Sequence, residues 1–540
     1  MARETINGIS VPVPGTGEPA DFQGDLRRFA TDLPASTITK WKPNTAYTVG
    51  QIVAAPDGSL VERTVAGTSG ASFSNTNWKT ATGLATQIAA GAAGSAPRFG
   101  PLSMPAGFPT LPATFYRDND GIIRHTFDFA AYYPATATKI HLSMTGNDAS
   151  GDGTSGSPYR TLVKAMEVVQ AGGAGAYVID TGDIAMFDRD QAGFTGTITG
   201  KTVAIRSALS TRCVLSANST YTWTADGTGT YTTARSSVLG VIDNSVRDHK
   251  GMPVALKSVA SVAACQAEAG TYYSSGTAVW VHRNDNALPT HDSTIVSIGV
   301  LAFDPVLAGG SKLYVEGLIF CGTASGVGLR VRGDAGGTEE TFLAKDCKFI
   351  GSSGNCYTTL NLARTYLFDC VAAYGQRDGF GYSYDGMTWA TARANALVVE
   401  YGCTAYHLGI ESPGAGPTYS NNTSTGHHGA NILRIAHVGY ECTGTPVIDV
   451  NGCFSVLFDC HARTPVLVGE GGAQTPGQGT TFSFSSDVNP DAGKVYMYDC
   501  GAADCTTALT VGSGTTAEVA RFRKPSSAAI AAGGTIIYLT

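Results

Sequence analysis

The chain has 540 residues, 67 of them glycine, with only 15 % charged and 43 % hydrophobic residues, a profile that predicts an all-β, turn-rich protein. Its 36 basic and 43 acidic residues leave a formal charge of −7 with no basic block, which excludes nucleic-acid binding through phosphate neutralisation. No apolar run approaches the ~18 residues of a membrane-crossing helix, and the N-terminus lacks the charged and apolar regions of a secretory signal. Synthesis in a reducing cytoplasm without a membrane span is therefore expected.

Residues 1–37 open with the extended run Val11-Pro-Val-Pro-Gly-Thr-Gly-Glu-Pro. A short amphipathic helix from Asp25 follows, with Leu26, Phe29 and Leu33 spaced three and four apart. The extended part is too poor in apolar residues to fold alone and is expected to order against a partner. This opening resembles the N-termini of minor tail proteins of long-tailed bacteriophages, which dock on the tail tip.

Residues 38–82 read as a small β module. Two β-type runs flank Pro56-Asp57-Gly58, a hairpin turn. The pattern resembles the small carbohydrate-binding modules of chitinases and phage fibres, which implies that Trp41 and Trp78 bind sugar. The competing reading makes Trp41, Tyr47, Phe73 and Trp78 the core that so small a module needs. Residues 83–113 are an Ala/Gly/Pro linker. Residues 114–138 carry Phe115, Tyr116, Phe127, Phe129, Tyr132 and Tyr133 around Asp120-Gly121, which predicts a packed neck hairpin.

From 139 to 510 a strand-rich solenoid is predicted. Leu162, Ala165, Met166 and Val169 form a helical stripe after Pro158. A helix there covers the open edge of the first rung. The preceding loop contains Gly151-Asp-Gly-Thr-Ser-Gly156, a G-x-G-x-x-G string that does not directly follow a strand and is acidic where a pyrophosphate would sit. Asp148-x-Ser150-x-Asp152-Gly153 begins like a calcium loop, but Tyr159 stands at position 12 in place of glutamate. No cofactor is expected. Strand runs continue at 177–180, 202–206, 279–282 and 294–298, with a Thr-rich insertion near Tyr221 and Trp223 and a short helix near 259–269.

A phrase then recurs: a few apolar residues, an acid or glycine, then cysteine. It reads Thr341-Phe-Leu-Ala-Lys-Asp346-Cys347, Thr365-Tyr-Leu-Phe-Asp369-Cys370 and Leu397-Val-Val-Glu-Tyr-Gly402-Cys403. It continues as Ile435-Ala-His-Val-Gly-Tyr-Glu441-Cys442, Val456-Leu-Phe-Asp459-Cys460 and Val495-Tyr-Met-Tyr-Asp499-Cys500, and Lys312-Leu-Tyr-Val-Glu316-Gly317 is a first copy without the cysteine. Unequal intervals of this length exclude a propeller and suit a parallel β-helix, whose loops lengthen without disturbing the stack. The corners should stack at ~4.8 Å. Without close cysteine pairs there is no zinc framework, so the cysteines are read as buried free thiols. Residues 511–540 are expected to leave the repeat and end in a closing strand.

The run 139–169 resembles the entrance of right-handed parallel β-helices of the pectate-lyase-like and phage tailspike kind. With the N-terminal segment, the resemblance implies a phage tailspike or minor tail protein. Such a protein sits in the virion, is a homotrimer, binds host surface polysaccharide and in some cases depolymerises it.

Counting from the cysteine corners places Asn355, Asp378, Glu411 and Asp449 at similar positions on successive rungs. Asp378 and Glu411 are then expected about 5 Å apart and Asp378 and Asp449 nearer 10 Å, spacings suited to a glycosidase carboxylate pair. His427 and His428 lie in a polar loop nearby, and Tyr382 and Tyr384 follow Asp378, a pattern suited to sugar recognition. The competing reading is a structural ladder of Asp and Asn side chains holding turn amides. A non-catalytic tail or adhesin protein and a free polysaccharide lyase are the functional alternatives. No zinc site is expected at His427-His428, because no third ligand has characteristic spacing.

Overall fold

The computed structural model describes residues 100–539 apart from 119, 208–212, 335–338, 410–420, 464–478 and 487–492, and, ahead of residue 100, short strands and the turn residue Asn44. It divides into two compact units: residues 1–103 with 111–127, and residues 104–110 with 128–539.

In the first unit, Ala2–Ile6 pairs antiparallel with Ile9–Val13. Ile52–Ala54 pairs antiparallel with Leu60–Arg63, which pairs with Trp78–Thr80. The expected helix at 25–33 and Trp41 lie outside the described residues, as does the side chain of Trp78. Phe115–Arg117 forms a hairpin with Ile123–His125. Asp118 closes it, its carboxylate accepting from Asp120 N at 3.0 Å, Ile122 N at 2.9 Å and Arg124 Nε at 2.8 Å.

The second unit is a parallel β-helix. Three parallel sheets of twelve, nine and ten strands share its rungs. A typical rung runs Arg364–Phe368, Val371–Ala373 and Phe380–Ser383, one strand per sheet. Alternation along the strands turns Leu313 and Val315, or Phe342 and Ala344, into one continuous core. At the entrance, helix Leu162–Ala171 buries Leu162, Ala165, Met166 and Val169, the stripe expected from the sequence. Asp148 holds that helix in place: its carboxylate accepts from Arg160 N at 2.7 Å and from the Thr161 hydroxyl at 2.7 Å.

The recurring acid–cysteine phrase is a corner. Asp346, Asp369, Asp459 and Asp499 have φ of 53°, 52°, 53° and 58°, and Gly402 has φ of 65°. This left-handed conformation is open to glycine and tolerated by aspartate. The next residue turns inward, and each thiol donates to a carbonyl one rung back: Cys370 to Ala344 at 3.7 Å, Cys403 to Leu367 at 3.5 Å and Cys460 to Arg434 at 3.4 Å. All twelve cysteines are buried and unbridged.

Three sequence expectations need correction. Cys442 does not share this corner; the left-handed residue there is Ala436 (φ 52°), with His437 in the cysteine position ahead of Val438–Gly439, while Glu441 (φ 49°) and Cys442 form a later turn in which Cys442 pairs with Leu408. Neither Ala436 nor His437 matches the acid–cysteine phrase, whereas Glu441-Cys442, five residues on, does. The runs at 279–282 and 294–298 are not rungs. They lie in antiparallel sheets of an excursion between Cys213–Ser216 and Val306–Ala308. Finally, the chain beyond 510 stays in the coil, since Thr515–Ala520 and Thr535–Leu539 are the last two strands of the twelve-stranded sheet. Its corner, Arg521 (φ 50°) followed by Phe522, carries no cysteine.

Two of the three outer faces are covered. Ile242, Met252 and Ile295 of the excursion pack on Val214, Ile319 and Ile350 of the nine-stranded sheet. Asp248 accepts from the hydroxyls of Tyr374, at 2.8 Å, and Tyr406, while His249 Nε2 lies 2.7 Å from the Tyr440 hydroxyl. The twelve-stranded sheet is crossed by residues 104–110 and 128–133. Tyr133 stacks on Tyr314 (5.5 Å, 19°), Phe129 meets Phe368 edge-on at 5.0 Å and Phe108 meets Phe454 at 5.1 Å.

Candidate functional site

The ten-stranded sheet is different: among the described residues no helix packs extensively against it. Strands Tyr357–Leu360, Phe380–Ser383, Ser424–Gly426 and Val447–Asp449 run side by side. Their inward residues include Tyr357, Phe380 and Tyr382, so alternation turns Thr358, Gly381, Thr425 and Ile448 outward; of these Thr358 and Ile448 are half-buried, while Gly381 and Thr425 are covered by neighbouring side chains.

The entry edge of this face is a ladder of Asn355, Asp378 and Asn422. Asn355 Oδ1 accepts from Asp378 N at 3.3 Å, and Asp378 Oδ1 accepts from Asn422 N at 3.0 Å and Asn422 Nδ2 at 2.8 Å. The residue keeps part of its surface in solvent, but protein encloses the carboxyl. That burial pushes its pKa up to about 6 against the two Asn422 bonds and the charge of Arg377. A raised carboxyl pKa means that the folded state binds the proton more readily than the unfolded one, so this group destabilises the fold above pH ~6 and relaxes as pH falls toward 4. Asp378→Asn keeps the Oδ1 acceptor and is expected to stabilise the protein by about 1–2 kcal/mol at pH 8 and negligibly at pH 4. Urea denaturation at the two pH values checks this, and equal effects at both would refute it.

The exit edge carries His427, His428, Asp385 and Trp389. His428 adopts φ 57° and places Nδ1 2.7 Å from Asp385 Oδ1. His427 Nε2 is 3.3 Å from the Thr425 hydroxyl, and burial holds its pKa below the ordinary imidazole value. Trp389 opens helix Trp389–Asn395, with the Arg393 guanidinium 5.0 Å over its ring. Asp385 ends the Asp378–Asp385 stretch singled out from the sequence; Trp389, in a short helix without periodic signal, has no counterpart among the expected site residues.

The expected acidic constellation is not assembled. Asp378 stacks against Asn422, five residues before His427 on an extended strand, which separates the two edges by about 16 Å. Glu411 lies outside the described residues. Asp449 is 2 % exposed and points into the coil, and Tyr382 and Tyr384 are both 0 % exposed, so none of these three side chains offers a surface for sugar. The count that put Asp449 two rungs from Asp378 on the same row started from Cys442, which is not the equivalent corner.

Inside, Asp449 belongs to a buried ionic layer. Arg434 donates from Nη1 to Asp449 Oδ2 at 2.7 Å, from Nη2 to Asp449 Oδ1 at 2.8 Å and from Nε to the Ser424 hydroxyl at 2.8 Å. Glu400 Oε2 lies 2.6 Å from His437 Nδ1, and Glu400 Oε1 accepts from the Tyr382 hydroxyl at 2.8 Å. Burial alone would push Glu400 up, but His437 and Arg434 outweigh it and hold the carboxyl at about 2. The layer falls where one apolar core cluster ends and the next begins. Strand parity could have found it: Glu400 and Arg434 follow the inward Val398 and Ile432 by two residues.

No protein-family model matches the chain, and no curated protein does. Among solved structures it is similar to a glycoside hydrolase (9 % identity, TM-score 0.43, covering 74 % of this chain and 96 % of that one). It is also similar to pectate lyase Pel9A (11 %, 0.39, 74 % and 79 %) and to a rhamnogalacturonan lyase (11 %, 0.31, 71 % and 74 %). All three lie below the level at which a likeness says more than that the backbones follow related paths.

Proposed function

We propose that the protein binds a surface glycan along the outer face of its ten-stranded sheet. The observation that carries this reading is the face itself. Its half-buried outer row of Thr358, Leu360, Ser383 and Ile448 runs between an edge bearing Asn355 and Asp378 and an edge with two imidazoles and an indole. Amides and hydroxyls suit sugar hydroxyls, and an indole suits a sugar face. Binding without cleavage is the better reading, because the acids expected to act together sit apart: Asp378 at one edge and Asp449 in the interior. The role in a virion tail, docked through residues 1–37 and trimeric, is proposed on the resemblance of that segment and of the 139–169 entrance to phage proteins.

Ser383 lies on the outer row of this face. Ser383→Trp is expected to reduce binding to purified bacterial envelope polysaccharides at least tenfold, about 1.4 kcal/mol, with thermal stability unchanged. Mass spectrometry of the incubated polysaccharide should show no fragments. Unimpaired binding by the variant would defeat the placement, and oligosaccharide products would replace binding with hydrolysis or elimination.

A further inference from the structure

One rung of the coil has a largely polar interior. Across strands Asn431–Ile435, Val438–Gly439 and Val447–Asp449, Arg434, His437 and Asp449 are buried inside, and Gly439 stands in line with the inward Ala405. The contacts from this rung to the next are polar too. The Ser455 hydroxyl donates to Asp449 Oδ2 at 2.6 Å, and the Cys460 thiol donates to the Arg434 carbonyl at 3.4 Å. Two apolar clusters meet here without merging: Ile432 belongs to the one that starts under the entrance helix, Leu457 and Cys460 to the one that runs to the last rungs. The ladder is also thin at this height. Val438–Gly439 pairs at two positions with each neighbour, where Val371–Ala373 pairs at three. The excursion braces the nine-stranded sheet as far as Tyr440. Beyond it, Phe454 is held from the coil surface by Phe108 and Arg393.

We propose that this layer is a seam at which the coil opens in two steps: the strands from Phe454 to Leu539 part as one unit while the rungs before them stay closed. In a solenoid each rung is stabilised by its nearest neighbours, so the weakest interface decides where the stack opens. Parting the coil through an apolar interface exposes core to water. Parting it here exposes Arg434, His437 and Asp449, which water solvates, so the opened end is less costly. The part of the open face between Asn355 and Ile448 lies on the closed side. The end of the coil therefore parts without dismantling that face, and the seam does not depend on what the face binds.

The test is native-state hydrogen exchange of the full chain in rising urea, read by mass spectrometry. Amides of Gly493–Tyr498 and Thr515–Ala520 should lose protection together and first, while those of Lys312–Glu316 and Thr341–Lys345 keep at least about tenfold more. A second measurement separates two units from one. Val331 is fully buried in the first cluster. Val331→Ala should lower the protection of the earlier strands about tenfold and leave the later strands unchanged, because opening at the seam does not disturb its surroundings. Simultaneous loss in both sets, earlier loss in the rungs before the seam, or an equal fall in both sets in Val331→Ala would overturn the proposal. If Val331→Ala does not fold, the profile of the unaltered chain decides alone.

Discussion

Replacing Arg434 with methionine is expected to cost about 3–5 kcal/mol, since it leaves two buried carboxylates without their common cation. Arg434 is fully buried, forks onto Asp449 and approaches Glu400 at 3.5 Å. A methionine fills similar volume but supplies none of the donors. The fold also becomes sensitive to acid. Glu400 is held at about 2, below its unfolded value, so its ionisation stabilises the protein above pH ~4.5 and that contribution is lost as pH falls from there toward 2. In Arg434→Met the Glu400 contribution should be smaller and its loss complete at a higher pH, because part of what depresses Glu400 is gone. Denaturation midpoints measured from pH 3 to pH 8 test both parts. A change below 1 kcal/mol, with an unaltered acid limb, would mean that water enters the layer and that its charges are not desolvated as described.

Tyr314→Ala should be comparably severe, at about 3–5 kcal/mol. Tyr314 is fully buried on the outer side of the twelve-stranded sheet, where Tyr133 stacks on it and Phe129 and Tyr132 lie at 6.5 and 6.0 Å. Truncation removes the ring that three side chains of the crossing segment share. The loss should therefore be local as well as global: residues 128–137 should become cleavable by protease before the coil unfolds. If the coil and this segment instead lose protection together, the segment is part of the cooperative core and not a strap laid over it.

Much of the coil was readable because its corners repeat a chemical demand. A left-handed residue followed by an inward side chain selects Asp or Gly and then a small apolar group, and five of the six acid- or glycine-cysteine phrases mark such corners. The demand is for conformation and volume, not for particular letters. Ala436-His437 and Arg521-Phe522 meet only the conformational part, with larger inward groups, and escaped notice, and the misplaced Cys442 corner carried Asp449 to the wrong side of the wall. The insertion near Tyr221 and its short helix were legible, but its extent was not: Val279–His282 alternates as a rung strand does, and only its antiparallel partners distinguish it.

The candidate site divides in the same way. Asp378, His427 and His428 stood out as polar residues and do border the open face. Asp385 gains meaning only from His428 on the next rung.

Taken alone, the order of residues determined an all-β solenoid with buried thiols at its corners and a capped entrance, because alternation, turn preference and residue volume are local requirements that each rung must meet for itself. Which face lies open, which acids point inward and which cation answers them were decided by tertiary structure. Those properties depend on what stands one rung above, one rung below or in a long excursion, and sequence spacing records none of these distances.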